Sequence, residues 1–373
     1  MIKLARSIIG NEEKRAVEAV LDRAFLGMGP EVQAFEKELE DYLGSDRRVL
    51  CVNTGTSALH LALQAIGLHA GDEVLVPSLT FVATFQAISA TGANPVACDV
   101  DEKTWLLDLE DAERRLTAKT KAIVPVHYAS EPGNVEKLYQ FAKKHGLRVV
   151  EDAAHSFGCE YKGRRIGSFG DITCFSFDGI KNITSGEGGA VVTSDPQVIA
   201  AVADARLLGV CKDSEKRYRN ERSWEFDVTE QGWRYHMSDI MAAIGRVQLR
   251  RFESEFRQKR MELASIYRKR LSHSPYLELI PTQGEGIVPF MVPVRIRNDR
   301  RDAARAALLQ REIEVGIHYK PSHLLSKFGR ASEKLPVAEA IYRELLSLPL
   351  HPGLSSGDVE EVCQILLGIL SSP

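Results

Sequence analysis

The sequence predicts an α/β fold: a large domain with a mostly parallel sheet between helices, then a smaller α+β C-terminal domain. Three observations predict it. Short apolar strand-like runs alternate with helical patterns from about residue 47 to residue 150, as parallel strands joined by crossover helices do. The stretch from about 238 to 271 reads as one long helix, without Gly or Pro after Gly245, and joins two units. Beyond 276, strands and helices alternate less regularly, as in a compact α+β domain. The 373 residues suffice for more than one domain with a large core. The reading places residues 1–245 in the large domain, including an N-terminal helical arm, and 246–373 in the small one.

Taken in order, 11–22 has helical apolar spacing at Val17, Val20 and Leu21. Gly27-Met28-Gly29-Pro30 interrupts the chain before a second amphipathic helix, Glu31 to Leu43. Strands are predicted at 48–52, 73–76, 95–98, 122–126 and 148–150, and helices at 57–66, 84–91 and 135–145. In the C-terminal part a strand is expected over 286–294 and helices over 301–311, 337–346 and 357–370. Ligands of parallel sheets gather at the carboxyl ends of the strands, where Asn53, Pro77, His127 and Asp152 fall.

Composition excludes several classes. The net charge is −3 and the pI about 6.4, so no global basic field recruits nucleic acid or an anionic membrane. Arg246 to Arg251 and Arg257 to Arg260 are interleaved with Glu253 and Glu255, a solvated helix face. None of the six cysteines forms a C-x-x-C pair, and small reduced thiols in apolar runs fit a cytoplasmic protein. No signal-peptide core follows Met1, and no apolar run approaches the ~20 residues of a membrane span. No metal is expected.

Four features carry chemistry. Asn53-Thr54-Gly55-Thr56-Ser57 joins a strand to a helix. Backbone N–H groups and the helix dipole there can hold a phosphate, with Thr56 and Ser57 adding hydroxyls; an ordinary N-cap is the plain alternative. Phe81, in Pro77-Ser78-Leu79-Thr80-Phe81-Val82-Ala83-Thr84, is either a core aromatic or a plate for a flat heterocycle. Asp152 ends a very apolar strand and calls for a cationic partner, with Glu151 on the opposite face. Lys181, 29 positions after Asp152, is followed by Gly186-Glu187-Gly188-Gly189. A phosphate cradle, an aromatic plate, a buried aspartate and a buried lysine together meet the needs of pyridoxal 5′-phosphate (PLP). The lysine bonds the aldehyde and moves protons, and the aspartate keeps the ring nitrogen protonated.

With these motifs the sequence resembles the DegT/DnrJ/EryC1/StrS sugar aminotransferases, within the fold-type I, aspartate aminotransferase-like enzymes. The ordered matches run from Gly29-Pro30-Glu31-Val32 through Gly55-Thr56-Ser57-Ala58-Leu59, Glu151-Asp152-Ala153-Ala154-His155 and Gly167-Ser168-Phe169-Gly170-Asp171. They continue through Lys181-Asn182 and Gly316-Ile317-His318-Tyr319 to Leu348-Pro349-Leu350-His351-Pro352-Gly353. The resemblance implies a seven-stranded-type sheet and PLP, cycling through its pyridoxamine form. It makes Lys181 the cofactor-linking lysine and Asp152 the partner of the pyridinium nitrogen. His155 takes the position facing the phenolic oxygen, Phe81 stacks on the ring, and Thr56, Ser57 and Ser176 bind phosphate. It further implies a homodimer with shared sites, in which the loop Gln231 to Met237 reaches the neighbour's phosphate through Arg234. Asp178, Glu187, His318, Tyr319 and His323 lie toward the substrate.

Three departures from the pattern bear on the substrate. Arg234 replaces the phosphate-binding Asn and His236 the Arg of the common loop Gly-Tyr-Asn-Tyr-Arg-Met. Asp178 stands where many relatives have His or Tyr, and Ala129-Ser130-Glu131-Pro132 replaces a Gly-Gln-Pro turn. The expected reaction moves an amino group from L-glutamate to a keto or aldehyde sugar for lipopolysaccharide or another surface glycan. The acceptor is by default a nucleotide-linked keto-deoxysugar, the alternative being a non-nucleotide oxidised octulosonate. A sugar dehydratase would carry His in place of Lys181, and a non-catalytic regulatory paralogue would bind no cofactor.

Overall fold

The computed structural model describes residues 1–222, 224–280, 286–329 and 334–371. Its main sheet comprises β1 (Arg48–Val52), β2 (Glu73–Pro77), β3 (Asn94–Cys98), β4 (Thr120–Ile123) and β5 (Arg148–Asp152). A two-stranded hairpin, β6 (Glu160–Tyr161) and β7 (Arg164–Arg165), precedes its last members, β8 (Ile172–Ser176) and β9 (Gly189–Thr193). The seven strands lie in the order β1-β9-β8-β5-β4-β2-β3. Five of them pair in parallel from β8 to β3, whereas β9 runs antiparallel to both β8 and β1. Every residue of β8 and β9 is buried, as continuous apolar runs covered on both faces require.

Local chemistry sets the element ends. The helix Val135–His145 begins where Asn134 accepts from Lys137 N and ends at Gly146, φ 65°, a left-handed cap that glycine adopts without strain. The helix Gly55–Ala65 starts two residues before the expected Ser57, because Thr54 is the cap and accepts from Ser57 N. β4 stops at Ile123 rather than running to Val126: Pro125 has no N–H to give the ladder, and Val126 keeps only an isolated bridge to Asp152.

The linking helix is continuous from Asp239–Arg251 through a π-helical turn, Phe252–Arg257, to Gln258–Leu271. Phe252 and Phe256 pack into one core with Phe157 and Phe175, while Leu263 and Tyr267 pack into another with Val294, Leu346 and Leu366. The helix therefore changes cores between Phe256 and Leu263. The C-terminal part holds an antiparallel sheet of β10 (Leu277–Leu279), β11 (Val292–Ile296) and β12 (Leu345–Leu348).

Two C-terminal expectations are corrected. The strand expected over 286–294 begins only at Val292, and part of the preceding segment, 281–285, lies outside the described residues. The helix expected to reach Leu346 ends at Glu344, and Leu345–Leu348 is a strand. Its leucines are wholly buried, and Pro349 biases Leu348 toward extended backbone. The first residues tie the parts together: Ile2 bridges Ile313, Leu350 N donates to Leu4 O at 3.0 Å, and Ser7 Oγ donates to the Gly179 carbonyl.

Candidate active site

Asp152 closes β5 at the carboxyl edge of the parallel strands and is 6% exposed. Its contacts are neutral donors: Thr84 Oγ1 donates to Oδ2 at 2.7 Å and Ala154 N to Oδ1 at 3.2 Å. Thr80 Oγ1 lies 2.9 Å from Thr84 Oγ1, and since the Thr84 proton points at the carboxylate, Thr80 is the donor of that pair. Burial raises the Asp152 pKa, while Thr84, Ala154 N, and the charges of Lys181 and His127 oppose it. The expected cationic partner thus acts through space, without ion-pair contact among the described residues. Glu151 faces the other way, accepting from Tyr139 Oη at 2.6 Å and lying 3.1 Å from His127 Nε2.

Lys181 sits in the loop between β8 and β9, and Phe290 supplies its apolar wall: Nζ is 4.3 Å from the ring centroid. Burial pushes its pKa down to about 8, against the pull of Asp152 and Asp178 and with the help of Arg260. Asn182 anchors the loop by donating to Phe157 O and Val288 O at 3.0 and 3.3 Å. His155 stacks on the same Phe290, centroids 4.4 Å apart, and its Nε2 is 3.1 Å from Tyr319 Oη. Burial, then the charges of Lys181, His318 and His127, hold His155 well below the usual imidazole range, so it is neutral at pH 7. Phe81 caps the helix Val82–Ala90, with its ring 55% exposed and 5.4 Å from Tyr319.

The start of the helix Gly55–Ala65 abuts this cluster. A Cβ on Gly55 would stand 2.7 Å from Ser176 Cβ, and one on Gly189 2.5 Å from Thr54 O, so both glycines are needed for close backbone approach. Thr56 is exposed and available as an anion ligand. Ser57 is 4% exposed, and its hydroxyl donates to Asn53 Oδ1 at 2.7 Å while accepting from Thr54 N at 3.1 Å. The plain capping role therefore accounts for Ser57's present bonds.

Of the substrate-facing candidates, Asp178, Tyr319 and His318 share the electrostatic neighbourhood of Lys181 and Asp152. Glu187 is exposed, and its pKa is raised by burial and by Asp178. His323 has a different role from the one expected. It is 3% exposed, with Nδ1 2.6 Å from Ser78 Oγ and Nε2 3.3 Å from Glu339 Oε1, so it locks its turn onto Ser78. Arg234 is exposed and lines a separate cavity of about 180 Å³ with Arg217, Phe226 and His236. The sequence reading gave no role to Thr84 or Phe290. Thr84 stood in the Phe81 motif, three positions on, where a helix turn brings it alongside; Phe290 had no local signal.

A partly buried amine of lowered pKa, a carboxylate fixed by a hydroxyl, an aromatic face and a helix N-terminus fit PLP. The fold and site define a fold-type I PLP enzyme. The chain belongs to the DegT/DnrJ/EryC1/StrS aminotransferase family, whose pattern matches residues 7–367. It is 36% identical to the dTDP-4-dehydro-2,3,6-trideoxy-D-glucose 4-aminotransferase of Saccharopolyspora spinosa, over 97% of this chain and 95% of that one. Among solved structures it is similar to the aminotransferase TlmJ from Streptoalloteichus hindustanus (34% identity, TM-score 0.91, covering 100% of this chain and 99% of that one). It is also similar to Spr1654 from Streptococcus pneumoniae in its PLP form (28%, TM-score 0.91, 99% and 98% covered), a protein solved in a PMP form as well. The protein is a PLP-dependent sugar aminotransferase of amino-sugar biosynthesis.

Proposed function

We propose that this enzyme takes an amino group from L-glutamate and delivers it to the carbonyl of a nucleotide-linked keto-deoxysugar destined for lipopolysaccharide or another surface glycan. The observation that carries the reaction is the joining of Lys181, Asp152 and Thr84 in one partly buried cluster. The relative from Saccharopolyspora spinosa, named for a dTDP-linked dehydro-sugar, supports the acceptor class. Lys181, Asp152, Phe81, His155, Thr56, Ser57 and Ser176 would hold PLP, which supplies an electron-accepting ring when bound. With its pKa at about 8, Lys181 is about one-tenth neutral at pH 7 and about half neutral at pH 8, and the neutral amine can take a proton from the donor's Cα and return one to the product. Asp152, kept in place by Thr84, would present its carboxylate to the ring nitrogen of the bound cofactor. Tyr319 and His155 close one wall and exclude water, while Asp178, Glu187 and His318 line the approach of the sugar.

The enzyme works, in this reading, as a cytoplasmic homodimer with shared sites. Support comes from Arg234, which lies in a different cavity from its own chain's Lys181. Beside its loop are exposed apolar side chains, Trp224 (84%), Phe226 (59%), Val228 (47%) and Leu208 (45%). No described helix is long and apolar enough to cross a membrane, and all six cysteines are free thiols, in keeping with a reducing compartment.

Incubating the purified enzyme with glutamate and dTDP-linked 4-keto sugars, and in parallel with an oxidised octulosonate, tests the acceptor. Amination of the nucleotide sugar is the expected result; amination of the octulosonate alone replaces the acceptor assignment, and amination of neither removes both. A visible absorbance band lost in Lys181→Ala is the accompanying test of the lysine.

A further inference from the structure

Arg260 projects from the linking helix and is only 2% exposed. Among the described residues its guanidinium is bonded to backbone carbonyls alone. Nη1 donates to Phe290 O at 3.1 Å, Pro289 O at 3.4 Å and Leu350 O at 3.5 Å, and Nη2 to Lys181 O at 3.4 Å. Its Nε has no partner among the described residues. Among the described residues no acidic side chain offsets the burial, which lowers its pKa to about 10.

Two other buried arginines make the contrast. Arg206 is paired with Glu36 at 2.5 Å. Arg47 also binds carbonyls, but Glu151, Asp171 and Asp46 offset part of its charge. An unbalanced buried charge is expensive to keep, and an apolar side chain of similar volume would fill the space at lower cost. Its location supplies a reason. The carbonyls it holds include those of Lys181 and Phe290, the two residues whose amine and ring meet at 4.3 Å.

We propose that Arg260 is a positioning residue for Lys181: it fixes the Lys181–Phe290 pair through their carbonyls, and its unbalanced charge favours the neutral, nucleophilic amine. The inference rests on Lys181 being the lysine that binds the cofactor. The groups facing that amine are Asp152 at the end of β5, Asp178 in its own loop, Arg260 below, and His155 and His318 beside it. The two carboxylates favour the ammonium form. The histidines are both held below the usual imidazole range, His318 at about 4, and carry no charge at pH 7. Arg260 is therefore the fixed cation that counters the acids.

The test follows PLP uptake by cofactor-stripped protein, because only the neutral amine attacks the aldehyde. The rate is recorded from about pH 6 to about pH 10, and its midpoint in the unaltered protein is expected near 8. Arg260→Gln keeps donors for the carbonyls but removes the charge. Its midpoint should rise on the order of one unit, slowing uptake at pH 7 roughly tenfold. Arg260→Lys keeps the charge and should stay within roughly half a unit of the unaltered protein. An unmoved midpoint in Arg260→Gln, or equal shifts in both variants, overturns the proposal. Should Arg260→Gln not fold, the lysine variant decides alone: a displaced midpoint overturns the proposal and a retained one supports it. Borohydride reduction separates this from the underlying reading. If the unaltered protein yields no reduced adduct on Lys181, the cofactor lysine itself is wrong; an adduct with coincident midpoints removes only the role of Arg260.

Discussion

Replacing Glu36 with alanine should destabilise this enzyme sharply, and the structure sets the scale. Glu36 and Arg206 have side chains 4% and 0% exposed, with Arg206 Nη1 2.5 Å from Glu36 Oε1. Arg206 also donates to Cys51 O at 2.8 Å, Ser214 Oγ at 3.2 Å and Tyr218 Oη at 2.7 Å, while Cys51 N donates to Glu36 Oε1 at 2.8 Å. The pair thus joins the helix Pro30–Leu43, β1 and the helix Pro196–Ala205. Burial alone would depress the Arg206 pKa, but Glu36 and Tyr218 outweigh it and raise it. In Glu36→Ala the guanidinium keeps its burial and loses its counter-charge, a change that costs about 3–5 kcal/mol. In a protein this large the apparent Tm should fall by roughly 4–6 °C. Because the Arg206 carbonyl accepts from Tyr235 N and His236 N at 3.0 and 3.1 Å, amide exchange at those positions should accelerate as well. The decisive comparison is the double variant Glu36→Met/Arg206→Met, which removes both charges and should recover to within about 2 kcal/mol of the unaltered protein. If urea unfolding finds the double variant as unstable as the single one, the stranded charge is not the cause and the reasoning fails.

Three further outcomes follow from the site. Thr84→Val deletes the hydroxyl donor to Asp152 and should remove about 1.5–3 kcal/mol of support for the carboxylate. PLP affinity, read by absorbance titration, should drop roughly tenfold or more, and an unchanged affinity would show that Thr84 does not hold the carboxylate in its working state. The depressed Lys181 pKa has a stability signature in cofactor-stripped protein. The folded state loses the proton near 8 while the unfolded chain keeps it to 10.5, so the unfolded state binds more protons between those values and stability rises with pH there. Lys181→Met should therefore be the more stable protein below pH 8, by up to about 3 kcal/mol, with the gap narrowing toward pH 10.5; a pH-independent difference contradicts the shift. His318 and His236, both held at about 4, chiefly by burial, should show histidine NMR signals that do not titrate between pH 5 and 8.

Local sequence was legible where local forces decide. The alternation over 48–152 gave the parallel strands, and the helix 135–145 is framed by its own Asn134 cap and Gly146. Phe81 and Asp152 were readable because each sits at an element end, beside turn residues. Partnerships across the chain were not. Thr84 and Asp152 are 68 positions apart, Arg260 and Lys181 79, and His155 and Tyr319 164, and no periodicity reports which apolar surfaces meet. Leu345 and Leu346, expected at the end of a helix, belong to a strand for the same reason: a short, wholly buried apolar run fits either element until its neighbours are known. His323 looked available because its sequence context shows a loop, not the Ser78 and Glu339 that enclose it.

The reversed direction of β9 bears on how the site is put together. Because β9 returns beside β8, with Ser176 opposite Gly189, the lysine loop closes as a hairpin-like excursion of local sequence span. Short loops lose little entropy on closure, so the connection itself needs no distant segment to close it. The groups beside the amine come much later in the chain: Arg260 in the linking helix, and then Phe290, two residues before β11. The lysine loop is thus local in sequence, while the surroundings that make its amine reactive are drawn from a stretch of chain roughly a hundred residues further on.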